Sequence, residues 1–433
     1  LNKLEAIFGS KYREALESSL ARMKSGKNRL ETGNRLSNRM LDYINGSNAA
    51  IMFFNTRSAV LQTISSANFI NWSFNNPLMA GKAFANQRQY WKDFMELMNS
   101  DYLVDRRNGQ KINISEAEIT NAAATSKNKA KAVMAYILQK GYLPTQFADS
   151  FAIASGGATY FRNRINNLKK QGVSEAEARN RAYTEFKELS EKSQQSSDPS
   201  KISQQQSSDY GRLILMFANT PMQYTRLQKR AIQDLVNRRG DAKSNVSKII
   251  YYGFVQNLIF NALQQAVFAM GFGDDKISAS DEKKLNRTVN GMLDSTLRGM
   301  GVGGATVSVL KNFLLDIYER SGRKRPEYVD SAWKLTQISP PIGSKISRIK
   351  SALYAFDSKK RRKQIQKEGI SIDNPALLAG AQVISATTNA PIDRVLLKLQ
   401  NLRGAMDDDN ELWQRIAMLA GWPLWTLQDK KER

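Results

Sequence analysis

The sequence predicts an all-α protein, an irregular bundle of long helices with at most one small β-hairpin at about residues 102–114. Three observations lead to this class. Ten prolines and 26 glycines are few for 433 residues, so little interrupts helix formation. Apolar residues recur at helical spacing, as at Leu16, Leu20 and Met23. No set of alternating apolar segments is long enough to form a sheet.

The first region, residues 1–189, is predicted to be helical almost throughout. Its apolar and aromatic stretch at residues 49–85 is expected to form a helix that ends at Pro77, because the residues before a proline disfavour helical geometry. The pair Asn108-Gly109 lies between two short β-prone runs and predicts the hairpin. Ser174 and Glu177 have the spacing of a capping box and predict the start of a helix that runs to Leu189.

A Ser- and Gln-rich segment at residues 190–208 predicts a linker or mobile loop. It would separate the N-terminal region from an apolar helical region at 209–320 and a basic helical region at 321–433. A helix is expected to begin near Tyr210 and to be kinked or broken by Pro221. Because the chain begins with Leu rather than Met and has no signal-peptide pattern, we expect it to be part of a longer chain.

The composition restricts the chemistry. With no cysteine and no histidine, the chain cannot build a disulfide, a zinc finger, a Cys nucleophile or a Ser-His-Asp triad. The glycines at 299–304 lack the strand and the Gly-Lys-Ser/Thr of a phosphate loop. Three aspartates, Asp407 to Asp409, are interpreted as capping the final helix rather than as a cation site. We therefore expect no enzymatic activity, cofactor, metal or small-molecule substrate.

The longest weakly charged run, residues 249–272, would span roughly 36 Å as a helix, which is enough for a bilayer core. Five amide side chains fall within one half of its helical wheel, opposite an apolar half. The run therefore fits a membrane helix whose apolar half meets lipid and whose amide half lines a water-filled lumen. The alternative is a central helix of a soluble bundle with an amide ladder, which we favour because spanning helices tolerate few polar groups. The amide residues are Gln256, Asn257, Asn261, Gln264 and Gln265.

The chain carries 64 Lys and Arg against 40 Asp and Glu, a formal charge of +24. Residues 323–367 hold thirteen of the basic residues and three acids, so this segment alone contributes +10. Such a cluster predicts contact with phosphate, on DNA or on an anionic membrane, and its alternative is a solvated or salt-bridged face. The candidate contact residues are Arg323, Lys324, Arg325, Lys359, Lys360, Arg361, Arg362 and Lys363.

Near the C-terminus, Trp422 and Trp425 flank Pro423. Two tryptophans beside lysines are typical of an interfacial anchor on a membrane. We favour the alternative, a hydrophobic plug that docks the end of the chain onto the bundle.

Three stretches together resemble a known class of proteins: residues 48–84 (NAAIMFFNTRSAVLQTISSANFINWSFNNPLMAGKAF), 213–230 (LILMFANTPMQYTRLQKR) and 249–270. They are similar to the helical C-terminal regions of very large polyvalent proteins of tailed bacteriophages, and most of all to the virion-packaged cargo, or ejection, proteins of crAss-like phages. The likeness covers most of residues 40–275 and, more loosely, the region after residue 276. No catalytic residue carries over from these proteins.

The resemblance implies a protein that is packaged in the capsid or tail and ejected into the host during infection. It implies other virion proteins in the tail or portal lumen as partners, with DNA or an anionic membrane as further ones, and a final location in the host envelope or cytoplasm. Such a protein would aid delivery of the genome across the host envelope. The alternatives are a virion protein that binds and compacts DNA, and a helical scaffold within a larger virion enzyme.

Overall fold

The computed structural model describes residues 1–25, 43, 47, 50–108, 129–194, 202–215, 218–255, 281–321, 335–357, 359–369, 371–424 and 427. Within these ranges the regular elements are helices and no strand occurs, which confirms the all-α class. Short 3₁₀ helices at Thr63–Phe69 and Thr336–Ile338 and a π-helical turn at Tyr251–Val255 accompany the α-helices.

The α-helices of the N-terminal half are α1 (Asn2–Phe8), α2 (Ser10–Ser25), α3 (Thr56–Gln62), α4 (Pro77–Ala85), α5 (Gln87–Met98), α6 (Asp101–Arg107), α7 (Lys129–Gly141), α8 (Leu143–Lys170) and α9 (Glu175–Ser193). Those that follow are α10 (Gln204–Ser207), α11 (Asp209–Ile214), α12 (Asn219–Val236), α13 (Ala242–Ile250), α14 (Asp281–Gly299), α15 (Val302–Ser321), α16 (Pro340–Asp357), α17 (Lys359–Glu368), α18 (Pro375–Thr388), α19 (Ile392–Met406) and α20 (Leu412–Leu419).

The 28-residue helix α8 is the axis of the N-terminal half. The 3₁₀ helix, α5 and α9 pack against it, and together they bury one aromatic core. Phe69 and Phe186 stack within this core with ring centroids 5.6 Å apart. The side chain of Ser174 accepts a hydrogen bond from the backbone N–H of Glu177, so α9 begins where the sequence predicts.

Two consecutive glycines let α8 approach its neighbours closely. A β-carbon at Gly156 would lie 2.2 Å from the carbonyl oxygen of Ser66, and one at Gly157 would lie 2.2 Å from Cε2 of Phe186. Both distances are far inside van der Waals contact. Glycine is therefore required at these positions for packing and not for backbone conformation.

A buried ion pair links the helices around α8. Arg106 on α6 is fully buried, and its Nε and Nη2 donate to Oδ2 of Asp149 on α8 at 2.9 and 2.8 Å. The hydroxyl of Tyr102 donates to Glu191 of α9 at 2.8 Å. Burial is the largest single influence and opposes the charge of Arg106, but Asp149, Tyr102 and Glu191 together outweigh it and raise the pKa of Arg106. Three helices are thus joined by one network of charged groups.

Pro77 begins a helix instead of ending one, so this prediction was wrong. It is the first residue of α4, and the side chain of Asn76 caps that helix by accepting from the N–H of Met79 at 3.0 Å. Proline suits a first helical position because the N–H that it lacks would have no partner there. The apolar stretch before it divides into α3, the 3₁₀ helix and a turn in which Asn71 accepts from three backbone N–H groups.

The hairpin prediction was also wrong for its first half, because residues 102–107 belong to α6. Tyr102, Leu103 and Arg106 are buried, and this helical spacing places them on one face against α8 and α9. Tertiary packing has overridden the β propensity of the segment. Residues 109–114 lie outside the described part of the chain.

The segment between the predicted regions is helical where the structure describes it. Helix α9 extends to Ser193, and α10 lies within the predicted linker. Helix α11 begins at Asp209, close to the predicted start near Tyr210. It ends at Ile214, and α12 begins at Asn219, so Pro221 occupies a first turn and the break lies upstream of it.

The C-terminal helices α16, α18, α19 and α20 form a series in which neighbours run antiparallel. Lys345 near the start of α16 contacts Ala386 near the end of α18, and Asn401 of α19 bonds to the carbonyl of Met418 on α20. α19 returns beside α18, where Ser385 accepts from the N–H of Asp393. Among the described residues, no helix combines the length and the apolar character needed to cross a membrane.

We predict that Gly157→Ala destabilises the fold by about 1–3 kcal/mol, because the added methyl group overlaps the ring of Phe186. Gly380→Ala on α18 is the matched control, since nothing lies within 4 Å of a β-carbon there. It should be neutral or stabilising by up to about 1 kcal/mol. Urea unfolding followed by circular dichroism measures both, and equal midpoints for the two variants would contradict the packing.

We predict that Arg106→Met costs about 3–5 kcal/mol, because it leaves the buried carboxylate of Asp149 without its partner. The control is Arg403→Met, which removes an exposed ion pair with Asp373 and should cost under about 1 kcal/mol. Thermal unfolding of the two variants compares them directly. A small loss in the Arg106 variant would show that the network does not hold these helices together.

Candidate interaction surface

The C-terminal helices contact one another through small side chains. Ala352 and Ala355 of α16 pack on Ala379 of α18, and all three are buried. Ala405 of α19 and Ala417 of α20 are also buried together, beside the larger Met418 and Trp422. Small residues allow helix backbones to approach closely, as they do in helix pairs within membranes. The interior of this part of the chain is therefore thin.

Apart from the buried Leu396, many large aliphatic side chains of the same helices are exposed. Along α19 they recur three and four residues apart, which is the heptad spacing of a helix–helix seam. All five of these residues are exposed, from 44 % at Ile392 to 76 % at Met406. We call them and their counterparts on the neighbouring helices the outer apolar stripes. On α19 they are Ile392, Val395, Leu399, Leu402 and Met406, on α16 Ile342, Ile349, Leu353 and Phe356, and on α20 Leu412, Ile416 and Leu419.

The opposite face of α19 shows why the stripe cannot turn inward. Asp393, Leu396, Asn401 and Ala405 lie on that face and are buried. A β-carbon at Gly404 would lie 2.7 Å from the sulfur of Met418, so a larger residue there would require the end of the Met418 side chain to move. The amide of Asn401 donates to the carbonyl of Met418 at 3.2 Å. The inner face is thus mainly polar and small, with Leu396 as a large aliphatic member, and the stripe lies on the exposed face.

Helix α15 repeats the arrangement in the preceding region. Its buried residues include Ala305 and Ser308, and the hydroxyl of Ser308 donates to Asp294 of α14 at 2.7 Å. Its exposed apolar residues again follow heptad spacing, beginning just before the helix. This stripe consists of Met300, Val307, Leu310 and Leu314.

The predicted polyanion contacts are only partly within the described residues. Arg361, Arg362 and Lys363 lie on α17, where Arg362 and Lys363 are exposed and Arg361 is half-buried. Nε of Arg362 donates to the carbonyl of Phe356, so this basic edge adjoins the apolar end of α16. Lys359 and Lys360 begin α17, and their side chains are outside the described part. Also outside it are Arg323, Lys324, Arg325, Gln256, Asn257, Asn261, Gln264 and Gln265.

Trp422 docks the end of the chain onto the helices, which is the alternative that we favoured from the sequence. Trp422 is buried among Ala405, Met418 and Leu427. The guanidinium of Arg57 lies 5.3 Å from the centroid of its ring, a cation–π contact that ties α3 to the end of the chain. Trp425 lies outside the described residues.

The aspartates before the final helix do not cap it, so that interpretation was wrong. Glu411 is the N-cap of α20 and forms a capping box with Gln414. Asp407 ends α19, while Asp408 pairs with Arg415 at 2.8 Å. The cap lies two residues later because the chain needs those residues to turn between antiparallel helices.

Sequence reasoning missed a cationic cluster between α16 and α19. Arg348 is buried, and its Nε donates to Oδ2 of Asp393 at 2.7 Å. Arg394 and Lys398 follow Asp393 along α19, and burial lowers the pKa of both. Lys345 precedes Arg348 by one helical turn, and burial together with Arg348 lowers its pKa to about 8. No local motif marks this cluster, since its halves are 45 residues apart in the sequence.

Comparison of the chain with protein-family models, with curated proteins and with solved structures finds no match.

Proposed function

We propose that this chain is a non-enzymatic virion cargo protein of a tailed bacteriophage, packaged in the capsid or tail and ejected into the host with the genome. The observation that carries the proposal is the set of outer apolar stripes, large aliphatic side chains that recur on the exposed faces of α15, α16, α19 and α20. Soluble monomers rarely expose contiguous apolar patches beyond a few hundred Å² (roughly 300–600 Å²). A surface of this kind is stable when other virion proteins or a membrane surface cover it.

The charge distribution supports the same proposal. The exposed Arg362 and Lys363 adjoin the apolar end of α16, so aliphatic and cationic groups share one edge. With a formal charge of +24, the chain is attracted to packaged DNA and to acidic surfaces. Passage through a narrow tail is eased because the sequence has no cysteine and therefore no disulfide to reduce.

The buried ionisable groups of the N-terminal half have structural roles. Asp93, fully buried on α5, is held by two hydrogen bonds from Arg162 on α8 at 2.6 and 2.8 Å. Arg106 and Asp149 join α6 to α8 in the same manner. In each pair the charged groups donate to and accept from one another, and the pair thereby connects two helices of the chain. Charged groups that are engaged in this way stabilise the fold, which supports a structural role for the chain in preference to a catalytic one.

The proposal predicts that mass spectrometry of purified particles finds this polypeptide at a fixed copy number when they are filled with DNA. After ejection is triggered, its amount relative to the major capsid protein should fall, because cargo leaves through the tail. Absence from filled particles, or unchanged amounts after ejection, would refute the proposal. Proheads without DNA test the alternative, since a DNA-compacting protein is missing from them and a cargo protein is present.

A variant of the stripes tests the observation that carries the proposal. Leu399→Glu with Leu402→Glu should reduce incorporation into particles, because two charges then face the covering surface. Thr387→Glu, at an exposed polar position on α18, is the matched control and should be incorporated normally. Normal incorporation of the double variant would show that the stripes do not mediate packaging.

A further inference from the structure

The outer face of α4 and α5 presents exposed aromatic rings that lie side by side. Phe84 on α4 is 50 % exposed and Trp91 on α5 is 47 % exposed. Both rings contact Tyr90, with centroids 4.9 and 5.3 Å from that of the tyrosine. Gln87 also joins them, because its amide donates to the carbonyl of Phe84 at 2.7 Å and accepts from the indole N–H of Trp91 at 3.0 Å. The two rings therefore belong to one continuous surface.

Helical spacing adds cations and a methionine to this surface. Residues three and four positions apart lie on the same face of a helix. Arg88 and Met95 flank Trp91 at these spacings, and Lys92 lies four residues after Arg88 and three before Met95. All of them are exposed. Apolar and positively charged side chains thus alternate along the outer face of α5.

The cations of this surface are not neutralised by other described residues. Residues 58–100 contain five charged side chains, of which two are acids. Asp93 is buried in its ion pair with Arg162, and Glu96 is paired with Arg179. The other three are exposed and form no ion pair or hydrogen bond within the described part of the chain: Lys82, Arg88 and Lys92. The surface is therefore cationic as well as aromatic.

The aromatic part of the surface continues onto α8 without adding an exposed acid. Rings follow one another from Trp91 to Phe147 at successive centroid distances of 5.2, 5.3 and 6.5 Å. The intermediate rings are those of Phe94 and Phe151. Phe147 is 59 % exposed, and the one charged residue within 141–161, Asp149, is buried. An apolar surface that spans two helices thus borders the three cations.

We propose that this face of α4, α5 and α8 docks on an anionic lipid bilayer. The aromatic and aliphatic side chains enter the boundary between headgroups and acyl chains, and the cations beside them meet the lipid phosphates. Trp91 suits this boundary because its N–H already donates to Gln87, so the ring leaves no unpaired donor when water is removed. The site lies in the N-terminal half and does not rest on the proposed virion function.

Charge and polarity favour a bilayer over the other candidate occupants of this face. A second copy of the chain, related by two-fold symmetry, would place one cationic surface against another. A nucleic acid attracts the cations, but its phosphate backbone gives an aliphatic side chain such as Met95 nothing apolar to contact. An anionic bilayer supplies both negative headgroups and an apolar layer beneath them.

A spin label tests the docking of this face in the full chain, because the sequence has no cysteine and a single introduced one is labelled alone. Met95→Cys places the label on the face, and Gln171→Cys, exposed just after α8, is the matched control. Vesicles of equimolar phosphatidylcholine and phosphatidylserine should make the Met95 label several times less accessible to a water-soluble nickel complex and more accessible to oxygen. The control label should not change.

The same label distinguishes the possible occupants. Pure phosphatidylcholine vesicles should leave it accessible, since they have no net charge to attract the cations. An unchanged label with the anionic vesicles, or equal protection by the neutral ones, would overturn the proposal. Protection by single-stranded DNA without lipid would assign the face to nucleic acid, and protection that grows with protein concentration alone would assign it to a second copy. Either result would also overturn it.

Two double variants of the labelled chain separate this face from the net charge of the molecule. Arg88→Gln with Lys92→Gln should weaken vesicle binding by about 25-fold, since each cation close to an anionic membrane contributes about fivefold. Lys229→Gln with Arg230→Gln removes the same charge from exposed positions on α12, and it should change the affinity by less than about twofold because distant charges are screened. Equal losses in the two double variants would show that net charge alone attracts the chain, which contradicts docking through this face.

Discussion

Close approach between helix backbones, through alanine and glycine at the contacts, is the constraint on which this structure depends. In the N-terminal half it is local: Gly156 and Gly157 bring α8 against its neighbours, and large aromatic side chains fill the remaining space. In the C-terminal region α16 and α18 meet through alanines, while α19 and α20 meet through Ala405 and Ala417 beside the larger Met418 and Trp422. The two parts obey the same steric rule and differ in where the large side chains go.

That difference links packing to function. Where small residues line the helix contacts, most of the large aliphatic residues lie on the outer surface, and polar groups such as Asn401 and the pair Arg348–Asp393 take inner positions. This distribution is found where apolar surroundings replace water around helices. Burial of the outer stripes against other surfaces would add stability that the thin interior does not provide, since apolar area removed from water contributes about 25 cal/mol per Å².

The helical class could be predicted because its signals are local. Apolar residues at helical spacing and the Ser174–Glu177 pair are properties of neighbouring residues, and both correspond to helices. The prediction at Pro77 was wrong because proline is common both in the first turn of a helix and just after its last turn. The sequence alone does not decide between these two positions. The hairpin prediction failed at residues 102–107 because the burial of Tyr102 and Arg106 depends on α8 and α9, which are far away in the sequence.

The candidate surface was predictable only in part. The heptad spacing from Ile392 to Met406 is visible in the sequence, but its outward direction is not, because the opposite face also contains aliphatic and small residues. The basic run of α17 was recognised from its composition, whereas the cluster around Arg348 was not, since its members become neighbours only when α16 packs beside α19. The spacing of residues in the sequence shows which of them share a helix face, but only the packing of the helices shows whether that face is buried or exposed.

The outward direction of the apolar stripe on α19 is the central claim, and two methionines test it directly. Met406 on α19 is 76 % exposed and Met418 on α20 is 1 % exposed. Oxidation of methionine by hydrogen peroxide follows exposure. In the dilute native chain, peptide mass spectrometry should show Met406 oxidised several times faster than Met418, with the two rates converging in denaturant. Equal native rates, or faster oxidation of Met418, would contradict the account.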